Sequence, residues 1–527
     1  MTASPKRPGS EAWRIVAFAL IQVAVMLVAI SNESLWIDEF WTAHFSAMES
    51  FRAFHELLMV PSGSQTPLHF GYFYLWGLLN PPNEFFLRLG NLPLFVAGQL
   101  AVFWALREYP RKFSVLFLAL SALHPLVWQY ANEARPYIMM YAGSQMLLAC
   151  LLNLHARSAG GQPAEPIFLM LFVLGGILLF GASLLGIFWV FAACAYLLVH
   201  HLRFLTWRAL LRGANLLPLA LFLVCTGVLT VYYLSSLLKG AGASRLASST
   251  PASVLFAAYE VLGLAGIGPS RLELRTSGLT ALGSHGVALL AAGGVFVAVL
   301  AVGLKEARAR LGSRELMLVG ALALFPVVIV IFSGFAMHWR VLGRHLIAAL
   351  PLLNLVLALG LARLLRVDAN RGQLLQWFLA ASCLLFLVYS SCSLRFSQQH
   401  RKDDYRSAAA LAQAGIVQGQ RVWWAADVIG ASYYSLPGEF DVLGELTSTQ
   451  KPLACKDLPG VQPIANASMG CLQMLTAPDL VILSKPETFD IRGDIARYLN
   501  AEHFVAIQSL PAFTLWRRAG NSEAVKK

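Results

Sequence analysis

The sequence predicts an α-helical polytopic membrane protein with about eleven transmembrane helices and a small C-terminal α/β domain outside the membrane. Three observations lead there. Of 527 residues, 57% are hydrophobic and only 13% are charged, whereas a soluble domain carries about a quarter charged residues. Mean hydropathy is +0.62, and apolar runs long enough to cross a bilayer recur up to about residue 391. Basic residues collect in alternate connections between those runs, as the positive-inside rule requires.

A spanning helix needs about 20 mostly apolar residues, with about 17 as the lower end. Runs that qualify are 13–31, 90–107, 113–129, 137–154, 166–182, 184–201, 214–235, 286–304, 316–334, 343–362 and 373–391. Lys6, Arg7 and Arg14 precede the first, but no A-x-A site follows it, so it reads as a retained helix and not as a cleaved leader. An odd number of spans puts the termini on opposite sides. With the N-terminus in the cytoplasm, the inner connections hold Arg107, Arg111 and Lys112; Arg157; Arg203, Arg208 and Arg212; Lys305, Arg308, Arg310 and Arg314; and Arg363, Arg366 and Arg371. The longer outer loops are poorer in arginine and lysine. The expected arrangement is therefore a multi-pass membrane protein with the N-terminus in the cytoplasm and the C-terminal domain outside. The excess of 40 Lys+Arg over 28 Asp+Glu follows this topology. It points to membrane lipids as partners and to no nucleic acid.

Residues 253–268 (SVLFAAYEVLGLAGIG) form a rival span with Glu260 near the middle. A carboxylate at mid-bilayer costs roughly 2.5–3.5 kcal/mol on insertion scales. Counting this stretch would also throw the basic groups at 305–314 and 363–371 outside. It reads as an interfacial or re-entrant segment. From about residue 395 the composition turns polar, which divides the chain into a membrane domain, 1–394, and an outer domain, 395–527. The outer domain alternates helix-like stretches (RSAAALAQAGI, IRGDIARYLNAE) with strand-like ones (RVWWAA, DLVILS, FTLWRR), the pattern of a small α/β fold. The seven cysteines show no metal-ligand spacing. Cys455 and Cys471 lie in the polar tail, where an oxidising compartment would allow a disulfide.

Polar residues just outside the span ends are where a membrane enzyme meets a lipid-linked substrate, and they cluster on the predicted outer face. SLWIDEFWTA, 34–43, places the adjacent acids Asp38 and Glu39 among Trp36, Phe40 and Trp41. An interfacial aromatic belt accounts for the tryptophans; aromatic burial also raises a carboxylate's pKa and suits it to proton transfer. HPLVWQYANEARPYIMMYA, 124–142, packs Glu133, Arg135 and Tyr137 into one turn, and Pro136 predicts a non-helical Arg135. HWRVLGRHLIAALPLL, 338–352, holds Arg340, Arg344 and His345 against the positive-inside trend. A guanidinium fork matches phosphate oxygens. TPLHFGYFYLW, 66–76, adds His69 and Tyr72, and EFFLRLGNLPLF, 84–95, adds Arg88. There is no H-E-x-x-H, Walker loop, Gly-x-Ser-x-Gly or C-x-x-C, so zinc protease, ATPase and serine hydrolase readings have no support.

In order along the chain, L-W-x-D-E (Leu35 to Glu39), T-P-L-H-F, F-x-x-R-L ending at Leu89, N-E-A-R-P-Y (Asn132 to Tyr137) and G-R-H-L-x-x-A-L-P resemble the GT-C membrane glycosyltransferases. The branch they resemble is that of the protein mannosyltransferases and the lipid A aminoarabinose transferases. The resemblance covers the chain up to about residue 360. It implies inverting transfer of a sugar from a polyprenyl-phosphate donor to a lipid A, glycan or protein acceptor on the outer face. It implies Asp38 as catalytic acid/base, with Glu39 beside it and Glu133 as the second-loop acid. Arg135 and Tyr137 would place donor or acceptor, and Arg344 would meet the lipid phosphate with Arg340 in support. His345 stands where relatives often carry tyrosine; His69, Tyr72 and Arg88 complete the substrate-binding set. The turn at 181–188 (GASLLGIF) lacks a histidine that many relatives have there. No cofactor is required, because phosphate leaves readily. No metal ligand set is indicated, although an acidic pair can bind a divalent ion. The alternatives are a membrane ligase or phosphotransferase for a lipid-linked glycan, and a polytopic transporter. Transporters place ionisable residues near the midplane of their spans, and these spans are nearly free of charge.

Overall fold

Lipid offers the backbone no hydrogen-bond partner, so each spanning run must satisfy its own amides as a helix. In the computed structural model each expected run is helical over most of its length. It describes the chain outside residues 1–8, 61–65, 159–161, 163, 205–212, 240–247, 367–372, 443, 445–454 and 520–527. Lys6, Arg7, Arg208, Arg212 and Arg371, among the inner basic groups, lie outside the described residues.

Among the described residues seven helices are long and apolar enough to cross a membrane: Glu84–Glu108, Tyr137–Arg157, Leu216–Leu238, Thr280–Leu311, Ser313–Ala336, Gly343–Leu364 and Gln373–Phe396. The run expected at 113–129 is broken. Helices Arg111–Leu123 and Pro125–Ala131 meet at a 47° bend. Pro125 cannot donate an amide and drives His124 to an extended φ/ψ of −67°/130°. The His124 Nδ1 accepts from the Leu126 amide at 3.2 Å and caps the second piece. Three further expected spans, Trp13–Ala29, Pro166–Ala182 and Gly186–His200, form shorter apolar helices. The 253–268 stretch starts with an eleven-residue helix, Pro251–Val261. At about 1.5 Å per residue it reaches roughly half of a ~30 Å hydrocarbon core, which agrees with an interfacial or re-entrant segment. The protein is a multi-pass membrane protein.

Two compact units emerge. The first comprises Met1–Ser31, Ser64–Tyr72 and Arg88–His400; the second comprises Asn32–Gly63, Phe73–Leu87 and Arg401–Lys527. The division is not a single cut near residue 394, because two early stretches fold with the tail. In the first unit, helices close on one another through small residues. A Cβ on Gly143 would stand 2.7 Å from the Gly175 carbonyl oxygen, and one on Gly175 would stand 2.6 Å from the Gly143 oxygen.

The second unit is built on a five-stranded sheet: β1 Val422–Ala425, β2 Gln462–Pro463, β3 Leu480–Ser484, β4 Phe504–Leu510 and β5 Phe513–Arg518. The order is β2-β1-β3-β5-β4, with β1 parallel to β2 and β3, and β5 antiparallel to β3 and β4. Both faces of β1 and β3 are covered, which explains their unbroken apolar runs. Trp423, Val481, Ile495, Leu499 and Phe504 form the core beneath. The helices Tyr405–Val417 and Asp494–Ala501 match the two helix-like stretches of the sequence. Cys455 and Cys471 are joined as a disulfide.

Against this domain packs the helix Ile37–Ser46 from the first loop. Its apolar residues Phe40, Ala43 and Phe45 are buried. Phe40 meets Tyr405 edge-on with ring centroids 5.1 Å apart and also touches Tyr433 and Tyr434. Gly430 leaves the room: a Cβ there would lie 2.7 Å from the Phe40 ring.

Candidate functional site

In the first unit the site is built on a rigid turn. After the helix ending at Ala131, residues 132–136 leave helical geometry before Tyr137 starts the next helix, as Pro136 demands. The Asn91 Nδ2 donates to the Ala131 and Glu133 carbonyls at 3.1 and 2.7 Å, and the Asn132 Oδ1 accepts from the Ser31 amide at 2.7 Å. Arg88, fully buried, donates to the Ser31 carbonyl at 3.1 Å, and the Tyr72 hydroxyl donates to the Gly90 carbonyl at 2.8 Å. These two expected substrate contacts thus each spend a donor on the backbone that frames the turn.

The turn presents Glu133 and Arg135, both buried, and Tyr137. The Arg344 guanidinium lies over the Tyr137 ring, 5.6 Å from its centroid, and Tyr137 meets Tyr130 edge-on at 4.7 Å. His345 sits within the field of both Arg344 and Arg135. Its Nδ1 accepts from the Leu342 amide at 3.1 Å, and its ring stands edge-on to Trp339 at 4.9 Å. His69, fully buried, feels Arg135 and bonds to the Ala134 backbone. Burial first, then Arg135, hold it well below the usual histidine range, so it is neutral. Arg340 is exposed. The expected residues Glu133, Arg135, Tyr137, Arg344, His345 and His69 therefore come together, with Arg340 on the surface.

Glu260, Arg271 and Tyr130 join this cluster, and none of them was expected as a site residue. The Glu260 carboxylate, 1% exposed, receives Arg271 at 2.6 Å on Oε1 and the Gly343 amide at 2.8 Å on Oε2. Arg271 also donates to the Tyr130 hydroxyl at 2.8 Å. Glu260 thus ties Arg271 to the turn that carries Arg344. Gly343 is needed there, since a Cβ would stand 2.6 Å from the Glu260 Cβ. A signal for this existed. A carboxylate inside an apolar run must find a buried partner, but the sequence does not say which cation supplies it.

In the second unit, Asp38 and Glu39 lie in the first turn of the Ile37–Ser46 helix, where the helix dipole favours negative charge. They differ in burial. Asp38 is half-buried, whereas Glu39 is fully buried and receives Lys402 at 3.2 Å on Oε2. The same oxygen lies 3.4 Å from the Trp36 amide. Before this turn, Ser34 and Leu35 are held by the Tyr434 hydroxyl, each at 3.1 Å. Among the described residues no group of three or more His, Cys, Asp or Glu side chains is placed to hold a metal ion.

The bundle of apolar helices with polar turns at its span ends, and the small α/β domain, are the architecture the sequence predicted, and solved structures share that fold. Among solved structures the chain is similar to the crystal structure of ArnT from Cupriavidus metallidurans bound to undecaprenyl phosphate, with a TM-score of 0.50 and 15% identity over 97% of this chain and 98% of that one. A looser likeness is to the mycobacterial arabinofuranosyltransferase AftD, with a TM-score of 0.40 and 15% identity over 98% of this chain and 40% of that one. No family model and no curated protein matches the chain.

Proposed function

We propose that the protein is an inverting glycosyltransferase that moves a sugar from a polyprenyl-phosphate carrier to an acceptor on the outer face of the bacterial cytoplasmic membrane. The observation that carries this reading is the arginine cluster. Arg135 and Arg344 converge on one set of aromatic and histidine side chains, where the chain enters the helices starting at Tyr137 and Gly343. Guanidinium groups beside apolar helices suit a ligand with a phosphate head and a hydrocarbon tail. Undecaprenyl phosphate, bound in the ArnT structure, is a ligand of that kind. The Cys455–Cys471 disulfide supports an outer location for the tail, since such bonds persist in oxidising compartments.

In the proposed reaction an acceptor hydroxyl attacks the anomeric carbon while Asp38 takes its proton. The new glycosidic bond forms as the bond from that carbon to the phosphate oxygen breaks, and the polyprenyl phosphate leaves with the electron pair. Arg344 and Arg135 offset the charge that develops on the leaving oxygen, with Arg340 as a second contact at the surface. Glu133 and Tyr137 position the substrates. Neutral His69 adds hydrogen-bonding capacity without adding charge, and His345 lies beside Arg344 in the same cluster. Glu39, paired with Lys402, is a positioning group. Phosphate leaves readily, so the proposal includes no cofactor.

The test is a transfer assay in proteoliposomes with radiolabelled undecaprenyl-phosphate sugars, comparing wild type with Asp38→Asn. General-base removal costs about 10²–10⁴-fold in rate. Asp38→Asn at wild-type turnover, in properly inserted protein, rules out the base assignment.

A further inference from the structure

The tail begins with five consecutive residues that each grip something different. Lys402 donates to Glu39 at 3.2 Å. Asp403 pairs with buried Lys485 at the end of β3. Asp404 caps the helix that follows through the Ser407 amide at 3.0 Å, and its own amide donates to the Pro511 carbonyl at 3.0 Å. Tyr405, fully buried, packs edge-on against both Phe40 and Phe513. Arg406 holds Glu84 at 2.5 Å; its guanidinium reaches the Asn32 carbonyl, and its amide reaches the Ser34 hydroxyl, each at 3.1 Å. Asp403 and Asp404 fasten the segment to its own domain. Lys402, Tyr405 and Arg406 reach out to the loop that carries L-W-x-D-E.

We infer that Lys402–Arg406 is a cradle that fixes the Asp38 turn, and that Lys402 is a positioning residue acting through Glu39. The inference rests on the reading of Asp38 as the base. A fully buried carboxylate keeps its charge and its place only while a cation answers it. Lys402 is that cation, with its side chain 14% exposed against 0% for Glu39. Asp38 and Glu39 are consecutive on one helical turn, so any shift that lets Glu39 reach water re-aims Asp38. Misplacing a reacting group by about 1 Å costs on the order of a hundredfold in rate. The tail is thus part of the machinery that holds the base, independent of any acceptor it meets.

The experiment compares wild type, Lys402→Met, Lys402→Arg and the neutral pair Glu39→Gln/Lys402→Met in proteoliposomes. Donors are undecaprenyl-phosphate-linked hexoses and pentoses, and amide hydrogen exchange is followed over residues 37–46. Lys402→Met is expected to lower kcat about a hundredfold with donor KM little changed, and to speed exchange in 37–46. Lys402→Arg is expected to recover most of the rate. The neutral pair, which removes the buried charge imbalance, keeps the test open if Lys402→Met does not insert; its kcat is expected to stay low. Wild-type kcat in Lys402→Met or in the neutral pair overturns the inference, as does unchanged exchange over 37–46. Absence of transfer by wild type itself would reject the transferase reading instead, and the exchange measurement would still decide the cradle.

Discussion

Replacing Glu260 by glutamine tests whether the buried bridge between Arg271 and Gly343 holds the arginine cluster together. The carboxylate serves two donors, Arg271 at 2.6 Å and the Gly343 amide at 2.8 Å. Glutamine keeps one oxygen for the amide but turns its NH₂ toward the guanidinium, donor against donor. The charge-assisted contact from Arg271, with Nη2 at 2.6 Å and Nε at 3.2 Å on one oxygen, is lost, about 1.5–3 kcal/mol. Arg271, whose side chain is 33% exposed, regains some solvation, so the expected loss is about 2 kcal/mol, or roughly 30-fold in the folding equilibrium. Glu260→Ala removes both acceptors and should cost about 3–5 kcal/mol. The double replacement Glu260→Met/Arg271→Met leaves no buried charge and should recover most of that. Stability is measured by SDS titration of the micellar protein, followed by tryptophan fluorescence. Parallel donor titrations should show a raised KM in Glu260→Gln, because the Arg344 turn loses its anchor. A Glu260→Gln protein within about 0.5 kcal/mol of wild type would refute the bridge argument, since surface substitutions already span that range.

Two further outcomes follow from the same physics. Burial pushes the His400 imidazole down to about 4, with His285 and Arg271 adding to the effect and Glu273 opposing it. The unfolded chain takes up this proton near 6.5 and the folded one near 4, so folded-state stability falls as pH drops through that window; His400→Gln should flatten the decline in a pH series of thermal melts. Removing the disulfide by Cys471→Ser frees a loop with a sequence separation of 16 residues, which the chain-entropy model values at about 3 kcal/mol. A melting temperature that is lower in the variant, and insensitive to dithiothreitol only there, is the expected result.

Much of the fold was legible because it is written in consecutive residues. Apolar runs report spans, since lipid leaves the backbone no partner but itself. The strand-like VWWA and LVILS stretches became the two doubly covered strands. Pro136 announced the non-helical Arg135. Pro125 carried equal information about the bend at His124, but its apolar surroundings read as one uninterrupted span. Hydropathy averages over a window and does not see a single missing amide. Glu260 was legible as an anomaly inside an apolar run, while its partners were not.

By itself the sequence determined a polytopic helical protein, its polar turns and the chemistry those turns can support. Each of these follows from side-chain type and local spacing. Tertiary structure alone decided the partnerships. Glu39 meets a lysine 363 positions away, and Glu260 meets an amide 83 positions away. Two stretches of the first loop fold with a domain that begins after the last helix. Lys402 is one basic residue among 40 in the sequence. What sets it apart is the buried carboxylate it neutralises, and that is fixed by packing in three dimensions, where the cost of an unpaired buried charge selects the partner.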